Sequence, residues 1–284
     1  MSCGRRCLER SIVARYLSIF LTFARACLVR DMTFRANFIL ESLTSLGWMS
    51  MNLAFYLLVF QFTPEIGKGT GWTREPFFAF VATGLIINSI VQAFFMPSAE
   101  ELTEMVRTGG LDAVLVQPLD AQFLLSMHRV DYSSLANGLV GVGLLAWSLA
   151  GMDHAPLPVA WLVYPLLIVS GVAILYALVI VLAAATIHMG RNQSLYDFWF
   201  YMTNFSRYPA EIYAGPWGGP IRAVFTFVIP ILLVVNVPAR VIAQPLTGAA
   251  WWAVAGTLAA AAAALVVSRG IFQRSLARYR SASS

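Results

Sequence analysis

Few residues in this chain have the types and spacing that chemistry needs. Glu100 and Glu101 stand side by side, and His128 and His188 follow at a distance. A carboxylate pair with imidazoles suggests hydrolysis, one group activating water while others hold a metal or relay a proton. The spacing fails that chemistry: a proteolytic pair of this kind requires Glu-Glu-x-x-x-Arg, and the next arginine after Glu101 is Arg107. No two histidines stand three or four residues apart, as zinc ligands on a helix would. Cys3 and Cys7 could share a helix face, but without a histidine or a second cysteine pair they make a poor zinc site. With Cys27 they read as free thiols. Nucleotide hydrolysis fares no better, because Gly-x-x-x-x-Gly-Lys-Ser/Thr is absent and Gly67-Lys68-Gly69-Thr70 lacks the leading glycine. No catalytic residue, metal site or cofactor of its own is expected for this chain.

The scarcity has a cause in composition. The chain is 59% hydrophobic and 12% charged, against roughly 45–50% and 25% in soluble domains. Such a chain needs lipid as part of its solvent, and lipid admits only helices or closed barrels, since backbone groups find no water there. The apolar runs are about 20 residues or longer and lack the ten-residue alternation of barrel strands. They predict an all-α integral membrane protein.

Charge position supplies the orientation. Arg5, Arg6, Arg10, Arg15, Arg25, Arg30 and Arg35 crowd the amino end, and Arg269, Arg274, Arg278 and Arg280 the carboxyl end. By the positive-inside rule both termini are cytoplasmic, with lipid headgroups rather than nucleic acid as the neighbouring anions. Arg15 and Arg25 interrupt the first apolar stretch, and two central arginines cost roughly 5–7 kcal/mol on the insertion scale. Residues 1–35 are therefore expected to form an interfacial helix whose arginines reach headgroup phosphates.

Seven apolar segments follow: 36–62, 76–97, 132–150, 159–187, 194–208, 221–242 and 249–267. Cytoplasmic termini demand an even number of crossings, so six are expected to cross within a 36–267 membrane domain, with 268–284 as a basic tail. Asp197, Asn204 and Arg207 weaken 194–208, whereas Pro230 and Pro238 interrupt 221–242. Hydropathy leaves that choice open. Gly138, Gly141 and Gly143, and the stripe Gly256, Ala260 and Ala264, suggest close helix packing. The spans hold few ionisable groups, which argues against a proton or ion relay. Trp48, Met49, Met51, Phe55 and Phe94 would suit a path for apolar or amphipathic cargo, and equally a lipid-facing surface. Charge concentrates instead in a cytoplasmic connector, 98–122. There Glu100, Glu101, Glu104 and Arg107 precede a Gly109-Gly110 break and a second short amphipathic piece ending at Pro118.

Two stretches carry a family resemblance. One is Arg107-Thr-Gly-Gly-Leu-Asp-Ala-Val-Leu-Val-Gln-Pro118-Leu-Asp-Ala-Gln-Phe. The other is Arg207-Tyr-Pro209-Ala-Glu-Ile-Tyr213, followed by Phe227-Val-Ile-Pro230 and Asn236-Val-Pro238-Ala. The first resembles the Arg-x-Gly-x-Leu…Pro-Leu coupling segment of the permeases of type-2 ATP-binding-cassette (ABC-2) exporters. The second is similar to a signature of their small branch likened to viologen exporters. The resemblance implies six transmembrane helices and a re-entrant apolar hairpin within 209–245, marked by Pro209, Pro230 and Pro238, before the last helix. It also implies a separate cytoplasmic ABC ATPase that binds the ATP, and a second permease chain, identical or different, in the cell membrane. Glu100, Glu101, Glu104, Arg107, Gly109 and Gly110 would then orient the ATPase, with Leu111, Val114, Leu115 and Pro118 supplying apolar contact. A membrane-embedded enzyme or a non-transporting scaffold is the alternative.

Overall fold

The computed structural model describes residues 3–33, 35–67, 69–152, 155–189, 193–213, 215–244 and 248–279. Among these, every regular element is helical. The chain opens with α1 (Cys3–Thr33), one helix that runs through Arg15 and Arg25. Then come α2 (Arg35–Phe62) and α3 (Arg74–Phe94), joined by a loop in which Gly67, Gly69 and Gly71 have positive φ. That conformation is nearly free only for glycine, so the three glycines allow the sharp reversal. α4 (Met96–Thr108) departs from α3 at Phe95, with Pro97 in its first turn, where a missing N–H costs little. Short α5 (Leu111–Leu115) and α6 (Ala121–Ser126) lead to α7 (Ser133–Ala150) and α8 (Pro158–Met189). After α9 (Gln193–Asn204) come two 3-10 turns, Phe205–Arg207 and Ala210–Tyr213. α10 (Gly218–Ala223) runs into a π turn (Val224–Val228), followed by α11 (Ile231–Ala243) and α12 (Gly248–Arg278).

Five of these, α2, α3, α7, α8 and α12, contain stretches long and apolar enough to cross a bilayer. A sixth is available only if the pair Gly218–Val228 and Ile231–Ala243, bent by 88°, counts as one span. The apolar window of α3 extends to Val106. Because Glu100, Glu101 and Glu104 all lie beyond the kink at Phe95, we take that span to end at the kink.

Helix ends sort onto two faces. On one, Ala79, Ala160, Tyr164, Val241, Ile242 and Val254 cluster, so α3, α8 and α12 begin there and α11 ends there. Exposed Trp147, Trp161, Trp217, Trp251 and Trp252 belong to this face, and tryptophan favours the headgroup level of a bilayer. The opposite face carries α4 to α6, the start of α7 and the far ends of α8 and α12.

α3, α8 and α11 form the interior. The apolar windows of α3 and α8 are 56% buried, against 17% for α7 and α12 and 6% for α2. Lipid tails are as apolar as leucine, so packing rather than hydrophobic exclusion holds such helices together, and small residues allow the closest approaches. A Cβ on Gly171 of α8 would lie 3.0 Å from the Val234 carbonyl oxygen of α11, and one on Gly141 of α7 3.2 Å from that of Ala82 in α3. Gly138 similarly leaves no room for a side chain beside Ser89. Gly143 and Gly256 depart from the sequence expectation, since neither has a neighbour within 4 Å of a Cβ position. On α12 the packed face is instead Val254, Thr257, Ala261, Ser268 and Phe272, which follows helical spacing. α12 continues unbroken through Ser268 to Arg278.

The segment 193–244 departs furthest from regular spans. Residues 194–208 do not form one straight helix. α9 has 12 residues, about 18 Å at 1.5 Å per residue, before the chain tightens into 3-10 turns. The Ala210 N–H donates to Asn236 Oδ1 at 2.8 Å, and Trp72 Nε1 donates to Glu211 Oε2 at 2.9 Å. Glu211 is also ion-paired with Arg240. Between Met189 and Glu211 the chain therefore passes from the connector face to the tryptophan face. α11 begins deep in the bundle, with Val234 against Gly171 and Val235 against Gly84, roughly 15–20 Å along α8 and α3, and climbs to the tryptophan face.

Candidate functional site

The charged connector is a built structure, not a solvated loop. α4 stops at Gly109, whose φ of 77° is the left-handed cap that glycine favours. α5 starts at Gly110, and α6 at Asp120, whose side chain accepts the Phe123 N–H at 3.1 Å as an N-cap. Beyond α6 the irregular stretch to Ser133 is tied back to the span above it. The Asp131 N–H donates to the Ala93 carbonyl at 2.8 Å, and Ser98 Oγ donates to the Arg129 carbonyl at 3.2 Å. Asp131 in turn accepts from Ser133 and Ser134, both at 2.6 Å, and so fixes the start of α7.

Three further elements grip the connector. α1 lies across it with one face, where Tyr16 packs edge-on against Phe123 at 4.7 Å and Phe23 against His128 at 5.0 Å. Cys27 is buried as a free thiol beside Val130. The other face of α1, with Leu17, Leu21, Leu28 and Val29, is exposed. From α8, the Tyr176 hydroxyl meets Gln122 and Ser126, each at 3.0 Å. From α12, Arg269 donates to Asp120 at 2.7 Å and to Gln122 at 3.3 Å, while Phe272 is wholly buried.

The expected site residues divide into those facing inward and those facing out. Leu111 is 0% exposed and belongs to the main core, which corrects its expected role as a surface contact. Val114 is half-buried against that core. Glu101 is engaged within the chain, 3.5 Å from His128 and 3.6 Å from Arg129, so its carboxylate orients the connector itself. Glu104 is half-buried, and its carbonyl accepts the Thr108 hydroxyl. Arg107 belongs to α4, and its side chain lies outside the described residues. The outward surface is Leu115, Val116, Gln117 and Pro118, with Val116 84% exposed. The second set of marked residues sits elsewhere. Pro209 is buried beside the Asn236 contact, Pro230 occupies the break before α11, and Pro238 lies inside α11. Pro238 has no N–H for the Val234 carbonyl four residues earlier, the same carbonyl that lies against Gly171.

Of the residues that suited a path, Trp48 and Met49 line a cavity of about 350 Å³ between α2, α3 and α9, with Asn52, Asn88 and Asn137. Asn137 Nδ2 donates to Ser45 Oγ at 2.6 Å, while its Oδ1 is buried and unsatisfied by protein. Met51 and Phe55 are exposed outside this cavity, and Phe94 packs on Phe20 of α1.

A profile of ABC-2 family transporter proteins matches residues 46–283, most of the chain. This chain belongs to the ABC-2 transporter family. No curated protein and no solved structure matches it. ABC-2 permeases are multi-pass membrane proteins that are generally non-enzymatic and leave ATP hydrolysis to an ABC ATPase partner. In this ABC-2 chain, sequence reasoning missed Val116, Tyr176 and Arg269. Val116 was hidden by its sequence context, since an apolar residue in the apolar run Ala113-Val114-Leu115-Val116 carries no sign of which way it faces. Arg269 read only as one of several tail cations.

Glu100 faces a cavity of about 630 Å³ between α1, α2 and α4, lined also by Arg30, Glu41, Arg129 and Asp131. Burial pushes its carboxyl up to about 7 from the ordinary 4.5, opposed by Arg129 and reinforced by Asp131. A raised carboxyl binds its proton more tightly when folded, so its contribution to stability is full below 4.5 and is lost as pH rises through about 7. Glu101 moves the other way, lowered chiefly by its hydrogen bond to His128, and acts only in more acid solution. Glu100→Gln should therefore flatten the fall in thermal stability between pH 5 and 8, raising the midpoint at pH 8 by about 2–4 °C. Equal slopes for the two proteins in detergent melts would refute this.

Proposed function

We propose that the chain is the membrane-spanning permease subunit of an ABC-2 exporter of the small branch likened to viologen exporters. It forms half of the path for a hydrophobic or amphipathic substrate, and a separate cytoplasmic ATPase drives it. The observation that carries the reading is the connector: an exposed ridge of Leu115, Val116 and Pro118 on an element clamped by α1 and by the membrane helices α8 and α12. A passive loop needs no such clamp, whereas force transmission does. Two chains pair around the path, and ATPase closure tilts the connectors to exchange inward- and outward-facing states. The cavity of α2, α3 and α9 supports an amphipathic cargo, since aromatic walls and amide groups meet there. Isolated chain should show no ATPase activity, and the complex purified from its native membrane should. Nucleotide turnover by the chain alone would overturn the reading.

For topology, residues 193–213 make the fifth crossing as a broken helix, and the bent pair re-enters from the outer side. This is supported by Glu211 contacting Trp72 on the face where α11 also ends. Both termini are then cytoplasmic. With Cys3, Cys7 and Cys27 replaced by serine, Trp217→Cys should react with an impermeant thiol reagent in intact cells, and Val116→Cys only after permeabilisation. The tryptophan is 89% exposed, so access does not limit the reaction. Inside-only labelling of Trp217→Cys would make the bent pair a crossing instead.

A further inference from the structure

Between α10, α11 and the start of α12 lies a cavity of about 430 Å³ that the transport reading leaves unused. Its charge is settled by three residues. Glu211 is fully engaged, one oxygen accepting from Trp72 Nε1 and the other paired with Arg240. That leaves the exposed Arg222 as an uncompensated cation in the wall. The Thr226 hydroxyl and the Gln244 amide line the same space, and with Arg222 they have no partner among the described residues. The remaining wall is apolar, with Leu233, Val237 and Ala253. Three donors lining one largely apolar cavity are the composition of a ligand site rather than of a packing defect.

Depth identifies the ligand. The cavity borders Ala250 and Ala253, which flank Trp251 and Trp252, and Trp252 is 82% exposed. Such tryptophans mark headgroup level. Phe227, 85% exposed at the cavity wall, continues the apolar surface outward. We propose that this cavity binds the phosphate of an anionic phospholipid from the outer leaflet. The Arg222 guanidinium forms a charge-assisted fork with the phosphodiester, Thr226 and Gln244 donate to its free oxygens, and the acyl chains lie along Phe227. A zwitterionic lipid gains less. Its ammonium meets Arg222, and the nearest carboxylate, Glu211, is already committed to Trp72 and Arg240. The proposal rests on the membrane assignment and outward orientation, and is independent of ATPase coupling.

Native mass spectrometry of the purified full-length chain, with phosphatidylglycerol and phosphatidylcholine in equal amounts, tests it. The wild type should retain phosphatidylglycerol about tenfold over phosphatidylcholine, about 1.4 kcal/mol, because only the choline headgroup brings a second cation to Arg222. Arg222→Gln should abolish the preference and Arg222→Lys should keep part of it. Thr226→Val with Gln244→Leu should reduce phosphatidylglycerol retention severalfold, an outcome that reads the site even where Arg222→Gln folds poorly. Equal retention of both lipids by the wild type, or an unchanged preference in Arg222→Gln, overturns the site. So does displacement of the lipid by millimolar inorganic phosphate, which would make this a phosphate site.

Discussion

Val116→Asp should strip the ATPase from the permease and leave the permease folded. Val116 is 84% exposed on the turn after α5, so a carboxylate there is solvated in the isolated chain. Once a partner covers the ridge, that carboxylate is desolvated without a counter-charge, and a central contact of this kind is worth about 2 kcal/mol or more, roughly thirtyfold in affinity. Leu111→Asp should fail differently. Its side chain is wholly buried, and an unpaired charge in a packed interior ranks among the largest single-residue losses, about 4 kcal/mol or more. Co-purification reads the first effect and thermal unfolding of the isolated chain reads the second. Wild-type ATPase recovery with Val116→Asp would remove the ridge from the interface.

Asp120→Asn should separate docking from coupling. Asparagine keeps the N-cap of α6 but loses the ion pair to Arg269 on α12. The pair contributes little to stability, about 0–1 kcal/mol, because Arg269 is half-exposed. Its place in the fold is another matter, for it joins the connector to a helix that runs 31 residues from the tryptophan face. The hydrogen bond from Arg269 holds the Asp120 carboxyl below its ordinary range, so the charge is present at neutral pH. We expect ATPase co-purification to stay near wild type while transport-linked ATP hydrolysis falls about tenfold, equivalent to about 1.4 kcal/mol of coupling. The reversed pair, Asp120→Arg with Arg269→Asp, should recover part of the activity, as a direct interaction requires. Unimpaired hydrolysis in Asp120→Asn would mean that motion reaches α12 by another route, such as Tyr176 and Phe272.

Residues with a physical reason to sit where they do were readable without coordinates. Arg15 and Arg25 predicted a helix that lies at the membrane surface; in the structure α1 packs on the connector through Tyr16 and Phe123. Gly109-Gly110 announced a break between two short helices, and Gly109 takes the left-handed cap. Pro230 marked an interruption, and the chain bends by 88° beside it. Other readings failed where several orientations share one composition. Gly143 resembles Gly141 in sequence, yet of the two only Gly141 meets α3, because residues two apart lie on nearly opposite sides of a helix. Leu111 and Val116 are both apolar members of one motif, but one is core and the other surface.

The sequence by itself determined that this is a membrane protein of helices, with a charged connector between its second and third apolar segments. Composition and hydropathy report the solvent each segment needs, and that requirement is local. Only the tertiary structure decided which face of α5 is free, that Arg269 meets Asp120 across 149 residues of chain, and that Glu211 pairs with Arg240 beside Trp72. Those contacts join helices distant in sequence, and with lipid on every side the hydrophobic pattern does not specify which helix face meets which.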